Sequence, residues 1–170
     1  MHESELAHKH RVCQRCEYHF PQPAKECIES LLDSGTSFEM DGDVRSIDTL
    51  QFQGMASYKD RLKKYQDSTG LVDADLSGHG MIDGYKVADA VMDFSILAAT
   101  MGSVDGEEIT RPIEYGTANR CDVIGYAASA GARLYEGKWR LIQMAKTSAT
   151  PAHGNDDNLQ QIWTRARTAQ

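Results

Sequence analysis

One stretch limits the folds open to this 170-residue chain more than any other: Val123-Ile-Gly-Tyr-Ala-Ala-Ser-Ala-Gly-Ala-Arg-Leu-Tyr-Glu-Gly137. An apolar, strand-like run stops at four small residues, Ser129 to Ala132, and a helical pattern is expected to begin at about Arg133. A strand, a tight turn and a helix in immediate succession form a building block of layered α/β proteins. Small residues let backbone N–H groups approach a ligand closely, and a helix N-terminus adds positive dipole character. Such a junction can hold a negatively charged oxygen; it can also be a tight turn with no ligand at all.

The pattern along the rest of the chain is mixed α/β. Pro21 and Pro23 break a polar, His- and Cys-rich opening segment. Cys27, Ile28, Leu31 and Leu32 recur at helical spacing, which predicts a helix from Ala24 to Ser34 with Gly35 as its cap. Phe38 to Phe52 reads as mixed and acidic. Ala56 to Ser68 is expected to form a charged amphipathic helix stopped by Gly70, its Lys59, Arg61, Lys63 and Lys64 forming a solvated face. Leu71–Gly78 and Tyr85–Phe94 read as strands joined by an Asp83-Gly84 turn. A small-residue loop, 98–103, leads into a helix ending near Asn119, with Pro112 an awkward interior residue. Cys121–Ala127 is the next strand, Arg133–Ala149 the next helix, and Leu159–Gln170 a short basic helix candidate after a polar linker.

Composition narrows the function. Hydrophobic residues make up 41% of the chain, enough for a core, and 18 basic against 25 acidic residues leave a net charge of −7. An acidic balance argues against nonspecific nucleic-acid binding. No apolar run approaches the ~20 residues of a membrane span, and the opening residues lack a signal-peptide layout, so a cytoplasmic protein is expected. Four cysteines then read as thiols or metal ligands; Cys27 and Cys121 read as small buried hydrophobes.

Five segments occur in a telling order: Val12-Cys-Gln-Arg-Cys16, Tyr58-Lys-Asp-Arg-Leu62, Met101-Gly-Ser-Val-Asp-Gly-Glu-Glu-Ile-Thr-Arg-Pro-Ile-Glu-Tyr-Gly116, the turn at 123–137, and Leu141-Ile-Gln-Met-Ala-Lys-Thr-Ser-Ala149. In this order, from about Glu5 to Ala149, the chain resembles the β subunit of the acetyl-CoA carboxylase carboxyltransferase and, more broadly, the biotin-dependent acyl-CoA carboxyltransferases. The resemblance implies an α/β fold of the crotonase type, here a partial superhelix of ββα units over 23–149. It also implies a half zinc-ribbon-like segment over 1–22, and leaves 150–170 as linker and short helix.

The resemblance implies an acyl-CoA-side component that stabilises a thioester enolate while a carboxyl group moves from carboxybiotin. The backbone amides of Ala130 and Gly131 are then the expected oxyanion donors. Ala99, Thr100, Met101, Gly102, Ser103 and Ser129 would line the thioester site, and Arg133 and Glu136 would support the turn by an ion pair or by bonds to loop carbonyls. In the resembled family a Gly-Gly pair stands where this chain has Ala130-Gly131, and another where it has Ala98-Ala99. Alanine brings a methyl group into the pocket and is strained wherever φ must be positive. Two other readings stay open: a biotin-independent decarboxylase of a malonyl-type thioester in a specialised, polyketide-like pathway, and a non-catalytic scaffold completing a partner's site. Expected partners are other carboxyltransferase subunits supplying further ββα units, with a biotin carrier or an acyl carrier protein. The substrate is an acyl-CoA or an acyl carrier thioester.

Cys13 and Cys16 have the spacing of two zinc thiolates, but a tetrahedral site needs four ligands. Three outcomes stay open: a metal-free vestige, a site that recruits His8 and His10, and a site whose other ligands come from a partner chain.

Overall fold

The structure, a computed structural model, describes residue 6, residues 9–156 and residues 159–165. A five-stranded mixed sheet in the order β1-β2-β3-β4-β5 organises it. The strands are β1 (Phe38–Met40), β2 (Asp75–Ile82), β3 (Tyr85–Met92), β4 (Asp122–Ala127) and β5 (Gln161–Arg165). The first three are antiparallel neighbours, whereas β3, β4 and β5 run parallel. Parallel neighbours need crossover helices. These are α3 (Ser103–Asn119) between β3 and β4 and α4 (Trp139–Asp156) between β4 and β5, after α1 (Ala24–Leu31) and α2 (Tyr58–Thr69).

The hairpin β2–β3 sets the register for the sheet. Asp83 and Gly84 adopt φ of 50° and 80°, the left-handed pair of a two-residue turn whose twist matches the strands. Ile82 therefore faces Tyr85, and the pairing runs eight residues back to Asp75 opposite Met92. Alternation then divides β2: Leu76 joins the core beneath α1 and α2, while His79 stacks on Tyr115 of α3. On that second face Ile113 and Val123, both essentially buried, pack with Ala88 and Cys121. Burying side chains of this size contributes about 1.5–3 kcal/mol each. α3 approaches β4 closely because Gly116 has no side chain; a Cβ there would lie 2.7 Å from Val123 Cγ2.

The second crossover helix departs from the sequence pattern in identifiable ways, whereas α3 spans the residues expected for it. α4 starts at Trp139 instead of Arg133, because Arg133 is buried in an extended conformation and a 3₁₀ turn, Leu134–Glu136, and Gly137 at φ 58° intervene. α4 also runs through Pro151 to Asp156. The segment after it is a strand over Gln161–Arg165, whereas a helix was expected; Ile162, Trp163 and Thr164 are strand-forming residues, and the free edge of β4 supplies their partners. Positions 166–170 of that expected helix lie outside the described residues. The strand expected at Leu71–Gly78 begins four residues late, since Leu71 to Ala74 form a buried bend. β1 arises within the stretch read as mixed and acidic. Among the described residues no helix is long and apolar enough to cross a membrane.

Pairing with β4 brings β5 into one close approach. Gly125 sits opposite Trp163, and a Cβ on Gly125 would lie 2.1 Å from the indole ring. Gly125→Val should therefore expel Trp163 and release β5, even though valine favours strands. In a Trp139→Phe background, Trp163 fluorescence should shift to the red with the rest of the fold retained.

Candidate active site

Two loops at one end of the sheet are laced together by backbone bonds. The first contains Leu97, Ala98 and Ala99, three successive residues in the left-handed region at φ 47°, 55° and 47°. The second is the turn from Ser129 to Ala132. The Ala130 amide donates to the Ala98 carbonyl at 3.0 Å, Met101 N–H to the Gly131 carbonyl at 2.8 Å, and Arg133 N–H to the Met101 carbonyl at 2.8 Å. The Ser129 hydroxyl donates to the Ala99 carbonyl at 2.5 Å and accepts the Gly131 amide at 3.1 Å.

These bonds locate the strain. Gly131 takes φ 122°, a conformation other residues rarely adopt, and an added Cβ there would meet no atom within 4 Å. Ala130 is absent from the positive-φ residues, so its methyl group is accommodated without backbone strain. The left-handed alanines are in the other loop, at 98 and 99.

Beneath the laced loops lies Arg133, fully buried. Its guanidinium donates to Asp73 Oδ1 at 2.7 Å, to Asp105 Oδ1 at 3.2 Å, to Glu136 Oε1 at 3.4 Å and to the Thr100 carbonyl at 2.8 Å. The Ser46 and Tyr58 hydroxyls complete its contacts, each at 3.2 Å. Glu136 accepts from the Tyr58 hydroxyl at 2.7 Å and from the Ser103 amide at 2.6 Å, while Asp105 accepts from the Gly102 amide. Thr100, Gly102 and Ser103 are thus held from below through backbone atoms.

One arginine does not neutralise all the acids buried here. Burial pushes Asp105 up to about 7 although Arg133 pulls the other way. Asp75, with neither carboxylate oxygen hydrogen-bonded among the described residues, is raised well above the carboxylate range by burial and by Asp105 and Glu108. Burial, then Asp105 and Asp73, push Glu108 up to about 9. Asp89, on β3, is raised by burial to about 6. Asp73, Asp75, Asp105, Glu108, Ser46 and Tyr58 did not figure among the sequence-derived candidates. The signal for Asp73 and Asp75 was their place inside the apolar stretch 71–76.

At the other end of the chain, residues 12–19 close a small hairpin with Val12 paired to His19. Hydrogen bonds from the Arg15 and Cys16 amides lower the Cys13 thiol, which suits a thiolate. Among the described residues, however, no group of three or more His, Cys, Asp or Glu side chains is placed to hold a metal ion. His8 lies outside the described residues, and His10 lines a cavity. Cys13 and Cys16 alone do not complete a tetrahedral zinc site.

Two measurements test this account. Left-handed backbone costs an alanine roughly 1–2 kcal/mol, against about 0.5–1 kcal/mol for the greater freedom glycine loses on folding. Ala98→Gly should therefore stabilise the chain by about 0.5–1 kcal/mol, seen as a rise of about 1–4 °C in Tm. Glu108 ionises near 4.5 when unfolded and near 9 when folded, so the folded chain holds the extra proton between those values. Its contribution to stability is complete below about pH 4.5 and lost as pH rises to about 9. Glu108→Gln should flatten the decline in urea-unfolding stability across that window, where one proton gives a slope of up to about 1.4 kcal/mol per pH unit.

Comparison with known proteins gives this geometry a context. No family model matches the chain. It is 45% identical over 148 residues to the acetyl-coenzyme A carboxylase carboxyl transferase subunit beta of Rubrobacter xylanophilus, covering 87% of this chain and 56% of that one. It is 47% identical over 144 residues to the chloroplastic counterpart of Anthoceros angustus, covering 85% of this chain and 46% of that one. The chain therefore spans about half the length of these relatives. Among solved structures, the transcarboxylase 12S hexamer core superposes with a TM-score of 0.61 at 23% identity, over 74% of this chain and 22% of that one. A Pseudomonas malonate decarboxylase heterodimer superposes with a TM-score of 0.58 at 18% identity, over 79% and 48%. The fold is accordingly α/β of the crotonase-like carboxyltransferase type. Over the region it spans, the chain is a homologue of the β subunit of the acetyl-CoA carboxylase carboxyltransferase and belongs with that family.

Proposed function

We propose that this chain forms the acyl-CoA side of a carboxyltransferase and holds a thioester enolate at the turn Ser129–Ala132. In such a reaction the α-carbon of the thioester loses a proton, negative charge develops on the thioester oxygen, and the α-carbon takes the carboxyl group carried by biotin. The observation that carries the reading is the Gly131 amide. It is exposed, it sits at a φ that glycine tolerates, and only a neutral hydroxyl, that of Ser129, accepts it. A charged oxygen accepts a hydrogen bond roughly twice as strongly as a neutral group, so an enolate can displace the Ser129 hydroxyl. The Ala130 amide plays a different part: its bond to Ala98 fixes the spacing of the two loops. Met101, Gly102 and Ser103 would form the facing wall. The residues that surround the turn offer no side chain suited to removing the α-proton, so we assign the base to the partner subunit, together with the biotin carrier.

One observation favours a second reading. Both turn amides, Ala130 and Gly131, already have acceptors within the chain, which suits a scaffold that completes a partner's site without donating to substrate. A single substitution separates the two. The variant Gly131→Val, assayed in the assembled carboxyltransferase, adds a Cβ with no atom of this chain within 4 Å, yet it strains the native φ of 122°. If the amide stabilises the enolate, kcat should fall by about 10²–10³-fold while co-purification with the partner subunits is retained. Unchanged turnover would favour the scaffold. Assaying malonyl-thioester turnover with and without the biotin carrier tells carboxyl transfer from decarboxylation.

A further inference from the structure

A cavity of about 580 Å³ lies on the α1 side of the sheet and reaches Ala128, the residue before the turn. Its floor is Val91, Met92, Phe94 and Tyr126, from the ends of β3 and β4. Cys27 of α1 and Phe20 of the N-terminal hairpin form its walls. Its size and apolar lining are those of small-molecule sites.

The wall is fixed rather than draped. Arg11 pairs with Glu26 through two bonds, Nε–Oε2 at 3.0 Å and a second from its terminal nitrogen to Oε1 at 2.5 Å, tying the hairpin to α1. Tyr18 packs edge-on against Phe20 at 4.9 Å. The charge at the mouth is also particular. Among the described residues, His10, His19 and Arg165 line it together with the polar groups of Gln22 and Thr164, and no Asp or Glu does, in a chain whose net charge is −7. Glu26, the nearest acid along α1 to Cys27, is already paired with Arg11.

We infer that this cavity is a binding site for a carboxylate with an apolar tail, the tail over Tyr126 and Phe94 and the carboxylate at Arg165, His10 and His19. Guanidinium and carboxylate match as a bidentate pair, and an apolar floor without Arg165 at its mouth would not distinguish a carboxylate from a neutral molecule of equal length. The cavity adjoins the turn at Ala128, but neither Ser129 nor Gly131 lines it, so failure of this proposal would leave the reading given to the turn intact.

Octanoate and 1-octanol serve as probes, titrated calorimetrically into the whole chain at low salt. Octanoate should saturate at one site and bind more tightly than octanol. Arg165→Gln changes an exposed side chain, so the fold should be kept while octanoate affinity falls about 5–10-fold and octanol affinity stays level. Octanoate should also slow alkylation of Cys27, mapped by mass spectrometry, and leave exposed Cys16 unprotected. Non-saturating octanoate binding, equal affinity for octanol, or an unaltered Cys27 rate would each overturn the proposal.

Discussion

Arg133 is the point on which the described fold converges. Its guanidinium has five N–H donors and no acceptor, and buried in this site each needs an oxygen. The oxygens come from Ser46, Tyr58, Asp73, Thr100, Asp105 and Glu136, positions spread over ninety residues of sequence. Nothing in one segment can satisfy this cation, so the bend after α2, the start of α3 and the 3₁₀ turn before α4 must arrive together. Buried ion pairs contribute little net stability, because desolvation offsets their attraction. What they enforce is geometry, since a misplaced partner leaves a bare charge in a dry interior. Here the enforced geometry is that of the two laced loops, whose Thr100 carbonyl and Ser103 amide end on Arg133 and Glu136.

The same cluster carries more acid than base. Asp73, Asp105 and Glu136 surround Arg133, with Asp75 and Glu108 behind them. Were all five ionised, the turn would stand over a strongly negative interior, the wrong field for an enolate oxygen. Burial raises Glu108 to about 9, so it holds its proton at neutral pH, and it raises Asp75 in the same direction, which lessens the excess charge. The proton on Glu108 thus favours both folding and any anion held at the turn.

Much of this was legible in the sequence, and the rest was not for definite reasons. The Asp83-Gly84 hairpin, α2, α3 and the strand before the turn follow from local chemistry: a left-handed pair, the Ser57 cap that accepts Asp60 N–H, and apolar periodicity. The start of α4 misleads because Arg133 to Glu136 carry helix-compatible residues whose conformation is dictated by burial of the arginine, a nonlocal demand. β5 is invisible locally because its stability comes from the edge of β4 and from the vacancy over Gly125. The Gly-to-Ala departures were legible as residues but not as strain. Only the backbone angles show that position 130 tolerates its methyl group and that 98 and 99 are the strained pair. Ser46 and Tyr58 join the cluster through contacts 75 or more residues from Arg133, beyond any periodicity.

Enolate stabilisation also needs exclusion of water, because a hydrogen bond to an oxyanion gains strength as the local dielectric falls. On the proposed reading the described residues supply a donor, the Gly131 amide, but not the cover. Ala130 and Gly131 are exposed, Leu134 next to them is 68% exposed, and α4 turns Trp139, Leu141, Ile142 and Met144 outward at 44–57% exposure. Apolar surface of this extent is the kind that other protein covers. On the proposed reading the division of labour is physical. The chain folds its own clamp around Arg133, which fixes where the Gly131 amide points, and the dry environment that would make that amide effective would come from protein packed over α4 and the turn.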